Sequence, residues 1–297
     1  MKKQRGQFQL EQNFNSWMLK VFYISFLAGL NFLIDSSLHA TTLFPDFDHI
    51  VIVIEENHSY EEVVGSKSAP YINQLLAKGA SFSQSYAVIN ASLSQPNYLA
   101  LFSGSTQNMG NQFHPKFEAE CLGSLLIAAG KTYLGYSEGL PSVGFDGISS
   151  GNYVRRHNPS TQFTTLSRHV NQPFSAFPKH FEQLPTVCIV VPNLKNDGHD
   201  GSLMTMDTWL KNNIGAYAEW AKTHNSLLIV TFDEPSHDVK FKRNIPTVFY
   251  GAHIKPGIYT QKINHYNVLR TIEDMYGLHY LGKSATATPI TNIWKMQ

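Results

Sequence analysis

The sequence predicts an α/β fold: a single doubly wound domain built on a largely parallel central sheet. Three observations carry that expectation. The short, continuous apolar runs Ile50–Ile54, Pro185–Val191 and Leu227–Phe232 read as strands buried on both faces, as parallel strands are. Segments with apolar residues at helical spacing separate them. Two of the runs end in acidic residues, Glu55–Glu56 and Asp233–Glu234, at the carboxyl ends where open α/β sheets bind ligands.

The elements follow in order. Five β-branched residues, Ile50–Val51–Ile52–Val53–Ile54, make the first strand and run into Glu55–Glu56–Asn57–His58–Ser59. Tyr60–Val64 reads as a helical turn. Ala69–Ala77 is a helix that Gly79 stops. Ser81–Val88 alternates Phe82, Tyr86 and Val88 with small polar residues and predicts a strand. Asn90–Asn97 leads into an apolar helix, Tyr98–Phe102, closed by Gly104. Glu120–Ala129 is a helix ended by Gly130, and Thr132–Ser137 a strand. Residues 138–181 are rich in Gly, Ser, Pro and Asn and show no period; a loop of that length is expected to line or cover a site. Thr205–Lys222 is an amphipathic helix with Trp209, Leu210, Ile214, Tyr217 and Trp220 on its apolar side. Pro246–Tyr250 is a strand, and Asn267–Tyr276 a helix stopped by Gly277. No repeat, low-complexity tract or second domain is visible.

Composition bounds the function. The 297 residues include 23 basic and 22 acidic ones, so the chain lacks the basic face that nucleic acid requires. A hydrophobic content of 42% is enough for a sizeable core. Lys2, Lys3, Arg5 and Lys20 precede the apolar run Val21–Ile34, and Leu38–His39–Ala40 offers a small-residue cleavage site. That layout predicts a secretory signal peptide over residues 1–40 and a single mature domain over 41–297, exported to a periplasm or secreted. An uncleaved N-terminal anchor is the alternative. The two cysteines, Cys121 and Cys188, could pair in an exported protein or stay as buried thiols.

The two acidic strand ends imply chemistry. If the strands are neighbours, Glu56, Asn57, Asp233 and Glu234 converge, and carboxylates crowded at one buried rim repel unless protonated or neutralised. A divalent cation neutralises them. The all-oxygen set suits Mg²⁺, Ca²⁺ or Mn²⁺, and zinc if a histidine joins. Ser94 is the third element. Pro96 fits the first turn of a helix, which puts Ser94 at a helix mouth where backbone N–H groups attract anions. A hydroxyl held there against a cation could attack phosphorus; an isolated serine there could equally be an N-cap. Arg155–Pro159, the polar run Asn193–Asp200 after a core strand, and His265 offer further side chains. Gly147–Ile148–Ser149–Ser150–Gly151 matches G-x-S-x-G but lacks the strand before and the helix after that a nucleophile elbow needs. There is no Walker loop and no G-x-G-x-x-G.

These motifs resemble the bacterial phosphoesterase family of metal-dependent acid phosphatases and phospholipases C, within the alkaline-phosphatase-like superfamily. The stretches that carry the likeness are HIVIVIEENHSY (49–60), SQPNYLALFSGST (94–106), GYSEGLPS (135–142), RRHNP (155–159), VPNLKNDGHDG (191–201), LLIVTFDE (227–234), IPTVF (245–249) and INHYNVLRTIEDMYGL (263–278). The likeness is closest to the short, phosphatase-like branch. It implies that Glu56, Asn57, Asp233 and Glu234 hold a divalent metal together with the nucleophile Ser94. It implies that Asn97 hydrogen-bonds a phosphoryl oxygen. His157 and His199 would line the phosphate pocket together with Asn158 of the RRHNP stretch, and His199 would give a proton to the leaving group. Two departures stand out. Gly198 occupies a place where relatives commonly have methionine. Pro235–Ser236–His237–Asp238 replaces an acidic, glycine-rich run.

The expected activity is hydrolysis of small phosphoric monoesters through a phosphoserine, with one metal or two; Asp197, His199 and His265 could supply a second position. The same site acting on phosphodiesters or phospholipids, as a phospholipase C, is the alternative. Membrane contact is expected only for a lipid substrate or an uncleaved anchor. A serine esterase at Ser149 and a catalytically inert binding protein are the remaining rivals.

Overall fold

Consecutive β-branched residues favour extended backbone, and Ile50–Ile54 form the middle of strand β1 (His49–Glu55). The computed structural model describes residues 43–89, 93–110, 115–238, 240 and 243–295. The predicted signal peptide, residues 1–40, lies outside them. Side chains alternate along β1. Ile50, Ile52 and Ile54 enter one apolar layer and Val51 and Val53 the other.

Seven further strands complete the sheet: β2 (Ala80–Phe82), β3 (Tyr133–Ser137), β4 (Asn171–Pro173), β5 (Val187–Val191), β6 (Ser226–Phe232), β7 (Thr247–Gly251) and β8 (Gly257–Tyr259). Their spatial order is β8-β2-β7-β6-β1-β5-β3-β4. Only β7 runs against its neighbours β6 and β2; the other pairings are parallel. The expected doubly wound, largely parallel sheet is therefore present.

Six helices are described: α1 (Tyr60–Val63), α2 (Pro70–Lys78), α3 (Ser94–Ser103), α4 (Leu122–Ala128), α5 (Leu203–Ala221) and α6 (His265–Met275). Leu99 and Phe102 of α3, Leu122 and Leu126 of α4, and Leu269 and Ile272 of α6 pack in the layer of Ile50, Ile52 and Ile54. Ile72 and Leu75 of α2 with Leu210, Ile214 and Tyr217 of α5 pack in the layer of Val51 and Val53.

Register places the site. Val53 lies beside both Val190 and Val230, and Glu55 beside Phe232. The carboxyl ends of β5, β1 and β6 therefore finish side by side, and the residues just beyond them meet.

Several boundaries differ from expectation. The strand expected over 81–88 is two pieces: β2 belongs to the main sheet, while Ser85–Tyr86 pairs with Ile263–Asn264. The helix expected at Tyr98 begins at Ser94, because Pro96 sits in the first turn where its missing N–H costs nothing. The segment 138–181 holds the edge strand β4, the small hairpin Ser149–Ser150 with Tyr153–Val154, and several 3₁₀ turns. Ser149 is thus an exposed hairpin residue, not an elbow between strand and helix. Cys121 and Cys188 are buried free thiols.

Candidate active site

Glu56 continues the parity of Ile50, Ile52 and Ile54 and so faces the layer that contains α3. It is fully buried. The chain turns at Asn57, whose φ of 52° lies in the left-handed region that asparagine tolerates. This turn aims the Asn57 backbone N–H at Oδ1 of Asp233, 3.2 Å away. Two backbone bonds fasten the strand ends together: Asp233 N–H to Glu55 O, and Glu56 N–H to Asp197 O, each 2.9 Å.

Helix α3 meets this cluster end-on. The Ser94 hydroxyl donates to Oε2 of Glu56 at 3.0 Å and lies 3.4 Å from Oε1 of Glu234. The Leu93 N–H donates to Oε2 of Glu234 at 2.9 Å. Ser94 makes no capping bond with its own helix, which Leu93 caps. The hydroxyl is turned toward carboxylates instead. One turn along, the Tyr98 hydroxyl donates to Oε1 of Glu56 at 2.6 Å.

Two histidines close the other side. His157 is buried, and its Nδ1 lies 3.3 Å from Oε1 of Glu56 and 3.2 Å from Oδ2 of Asp197. With two carboxylates at Nδ1, the proton sits on that nitrogen and Nε2 presents a lone pair. The ring stacks on Tyr98 with centroids 5.3 Å apart and planes within 6°. His199 stands exposed at the rim. Its backbone N–H donates to Oδ1 of Asp197 at 2.8 Å, and Nδ1 donates to Oδ1 of Asp200 at 2.8 Å. Nε2 faces Nη2 of Arg156 at 3.3 Å.

The electrostatics point to a missing positive charge. Burial raises the Glu56 carboxyl well above the usual range, and the nearby Asp233 and Asp197 raise it further. Burial raises Asp233 too, with Glu234 adding to it. Asp197 is pushed up to about 7 by burial. Burial lowers His157 well below the usual histidine range, and the Arg156 charge adds to that. Among the described residues, three buried atoms with lone pairs at this cluster have no hydrogen-bond partner: Asn57 Oδ1, Asp233 Oδ2 and His157 Nε2. A donor set with crowded carboxylates and unused lone pairs fits a divalent cation. Glu56, His157 and His199 also each offer a ligand atom within 4.8 Å of the others. This second grouping shares Glu56 with the expected set and draws in both histidines that were expected to contact phosphate.

Two expected substrate contacts are placed differently. Both ends of the buried Asn97 amide are used on backbone: Oδ1 accepts from Ile89 N–H at 2.9 Å, and Nδ2 donates to Ile89 O at 2.9 Å and to Leu93 O at 3.2 Å. Asn158 caps a 3₁₀ turn through Ser160 N–H and donates to Tyr153 Oη and Asn171 Oδ1. A buried amide must satisfy both its ends, and here protein groups do so. His265 is also buried; its Nε2 donates to Phe232 O at 3.0 Å, leaving Nδ1 without a partner. His237 and Asp238 are exposed.

Sequence reasoning missed Tyr98 and Glu55. Tyr98 could have been found from its i+4 spacing to Ser94. Glu55 has the parity of Val51 and Val53, so it points into the opposite layer. It is fully buried with neither oxygen paired, and burial, followed by the charges of Asp197, Glu138 and Asp207, raises its carboxyl well above the usual range. Gly198 explains its own departure: at φ 101° a Cβ would stand 3.2 Å from Glu56 O and 3.0 Å from Met206 Sδ.

The profile of the Phosphoesterase family matches residues 66–279. A phosphatidylinositol-3-phosphatase of Mycobacterium tuberculosis is 48% identical over 259 residues, covering 86% of this chain and 85% of that protein. A probable acid phosphatase of Kluyveromyces lactis is 26% identical, covering 83% of this chain and 65% of its own length. Among solved structures, an alkaline phosphatase superfamily protein from Vibrio parahaemolyticus superposes with a TM-score of 0.57 at 12% identity, covering 84% of this chain and 72% of that one. The chain belongs to the Phosphoesterase family and is a phosphoric-ester hydrolase with the alkaline-phosphatase-like fold.

Proposed function

We propose that this chain is an exported, metal-dependent phosphoric monoester hydrolase that works through a phosphoserine at Ser94. One observation carries the reading: a buried hydroxyl at a helix N-terminus points at Glu56 and Glu234, next to Asp233, in a site with unused lone pairs. Glu56, Asn57, Asp233 and Glu234 would hold the ion, with His157 Nε2 near by. When bound, the ion supplies the positive charge that lets these carboxylates ionise together and stabilises the ionised serine.

The chain's own residues do the rest. Glu56 accepts the hydrogen bond that orients the Ser94 hydroxyl. The Ser94 hydroxyl passes its proton to Glu56 as its oxygen forms a bond to phosphorus and the bond to the leaving oxygen breaks, and His199, at the solvent-facing rim, gives a proton to that oxygen. Water, losing a proton to His199, then displaces the serine oxygen, which takes its proton back from Glu56, and phosphate leaves. Tyr98 and Asp197 hold Glu56, His157 and His199 in register. Asn97 ties Ile89 and Leu93 to the helix mouth.

A phosphate monoester on a polyol headgroup is the substrate class we favour, because the 48% identical relative is named as a phosphatidylinositol-3-phosphatase. Turnover of p-nitrophenyl phosphate by metal-loaded enzyme, set against Ser94→Ala, tests the activity. Preferential turnover of p-nitrophenylphosphorylcholine would replace it with a diesterase. Export rests on the N-terminal layout, and sequencing the mature N-terminus tests cleavage near Ala40.

A further inference from the structure

A second cluster of charge lies outside the site just described. A cavity of about 220 Å³ is lined by Lys116, Asp146, Ser160, Thr161, Thr164 and Arg168, among others. Asp146 is the one carboxylate of this lining, and three cations converge on it. Lys116 Nζ lies 2.5 Å from Oδ2, Arg168 Nη2 3.3 Å from Oδ2, and Arg155 Nη1 3.6 Å from Oδ1. A purely structural ion pair needs one cation. Two of these cations, Lys116 and Arg168, line the cavity beside the carboxylate, and with Arg155 against Asp146 the group carries a formal excess of two positive charges.

Arg155 sharpens the point. It is 6% exposed, and its Nε and Nη2 have no hydrogen-bond partner. A buried guanidinium with unused donors is costly, though Arg155 itself stands behind Asp146 and outside the lining; within the lining, the planar, forked donors of Arg168 match phosphate oxygens. The cavity is smaller than the ~300–1,000 Å³ of drug-sized sites, so it suits a small anion or one end of a larger ligand. It also adjoins the catalytic centre through the chain. Arg155 reaches Asp146 while His157, two residues on, reaches Glu56, and two peptide links span less than about 8 Å.

We propose that this cavity is a second phosphate-binding site, separate from the catalytic centre. Its ligand is a phosphate group, either the second phosphate of a substrate that carries two or free inorganic phosphate. The inference does not depend on the catalytic reading, since the cations are arranged whether or not Ser94 is a nucleophile.

The test compares the full chain with the Lys116→Met/Arg168→Met double variant. Calorimetric titration with inorganic phosphate is expected to show one more equivalent bound by the wild type than by the variant. Titration with fructose 1,6-bisphosphate separates the sources. Binding at least ~10-fold tighter than inorganic phosphate, lost in the variant, identifies the pocket with the substrate's second group. Binding no tighter, with the extra equivalent still present, identifies it with free phosphate. Equal stoichiometry in the two proteins for both probes overturns the proposal. Hydrolysis of p-nitrophenyl phosphate is read in parallel: its KM should agree within about twofold between the proteins, and its absence from the wild type would sink the catalytic reading without touching the stoichiometry. Arg168→Ala alone, with a side chain 71% exposed, keeps the comparison open if the double variant is unstable.

Discussion

The Tyr98 hydroxyl donates to Oε1 of Glu56 at 2.6 Å, while Ser94, one turn earlier on the same helix, donates to Oε2 at 3.0 Å. The two oxygens of one carboxylate are thus taken by two side chains of a single helix. Movement of α3 against β1 would break both bonds. The nucleophile candidate and the carboxylate it faces are therefore aligned as one unit, and Tyr98 is a positioning residue.

Tyr98→Phe removes one of those bonds and keeps the ring that stacks on His157. Loss of such a supporting bond typically costs 10–100-fold in metal affinity or activity. We expect kcat to fall by about that range, with the divalent cation needed at higher concentration and the fold intact by circular dichroism. A variant with wild-type kcat and unchanged metal dependence would show that Glu56 is held by other groups.

Removal of metal should have two readouts. Burial raises Glu56, Asp233 and Asp197, and neighbouring carboxylates raise each further, so ionising them together without a cation is unfavourable. A divalent cation at about 100 times its Kd should stabilise the fold by ~2.7 kcal/mol, roughly 5–10 °C in Tm for a domain of this size. Chelation should abolish turnover, and re-addition should restore it. A verified metal-free sample with full activity and an unshifted Tm would contradict the metal assignment.

Asn97→Ala distinguishes the contacts this structure shows from the substrate contact its motif implied. Its amide satisfies Ile89 and Leu93 backbone groups. Truncation should leave those groups unpaired and cost at least ~2 kcal/mol, seen as a Tm lower by roughly 4–8 °C. An unchanged Tm with a raised KM would mean that the side chain turns to substrate.

His265 sets an acid dependence. Burial pushes its pKa down to about 4, against 6.5 when unfolded. The unfolded chain therefore binds more protons between those values, and stability falls as pH drops from 6.5 to 4. The full loss is on the order of 3 kcal/mol. His265→Gln preserves a donor for Phe232 O and cannot titrate. Its Tm should fall less than that of the wild type between pH 6.5 and 4; parallel curves would place the acid sensitivity elsewhere.

Much of this was legible in the chain. Apolar runs ending in carboxylates located β1 and β6 and the site at their ends, because a strand buried on both faces has a distinctive composition. The short edge strands β4 and β8 were not legible: three residues are too few to show a period, and Asn171–Gln172–Pro173 reads as loop. Glu56, Ser94, Asp233 and Glu234 could be brought together on paper because strand ends obey topology. The partners of Asn97 and Asn158 could not, since amides in irregular segments are satisfied by tertiary neighbours that no local pattern encodes. Gly198 makes the same point: its left-handed backbone, with Glu56 O and Met206 Sδ close by, explains why a side chain is absent there.

The most direct measurement is to trap the enzyme during turnover. Metal-loaded wild type mixed with p-nitrophenyl phosphate, quenched in acid within milliseconds and digested, should yield a phosphorylated peptide with the phosphate on Ser94. Ser94→Ala should yield none and lose at least ~10³-fold in kcat. Phosphate found on another residue, or an unlabelled wild type alongside a Ser94→Ala variant that keeps a tenth of its turnover, would contradict the account.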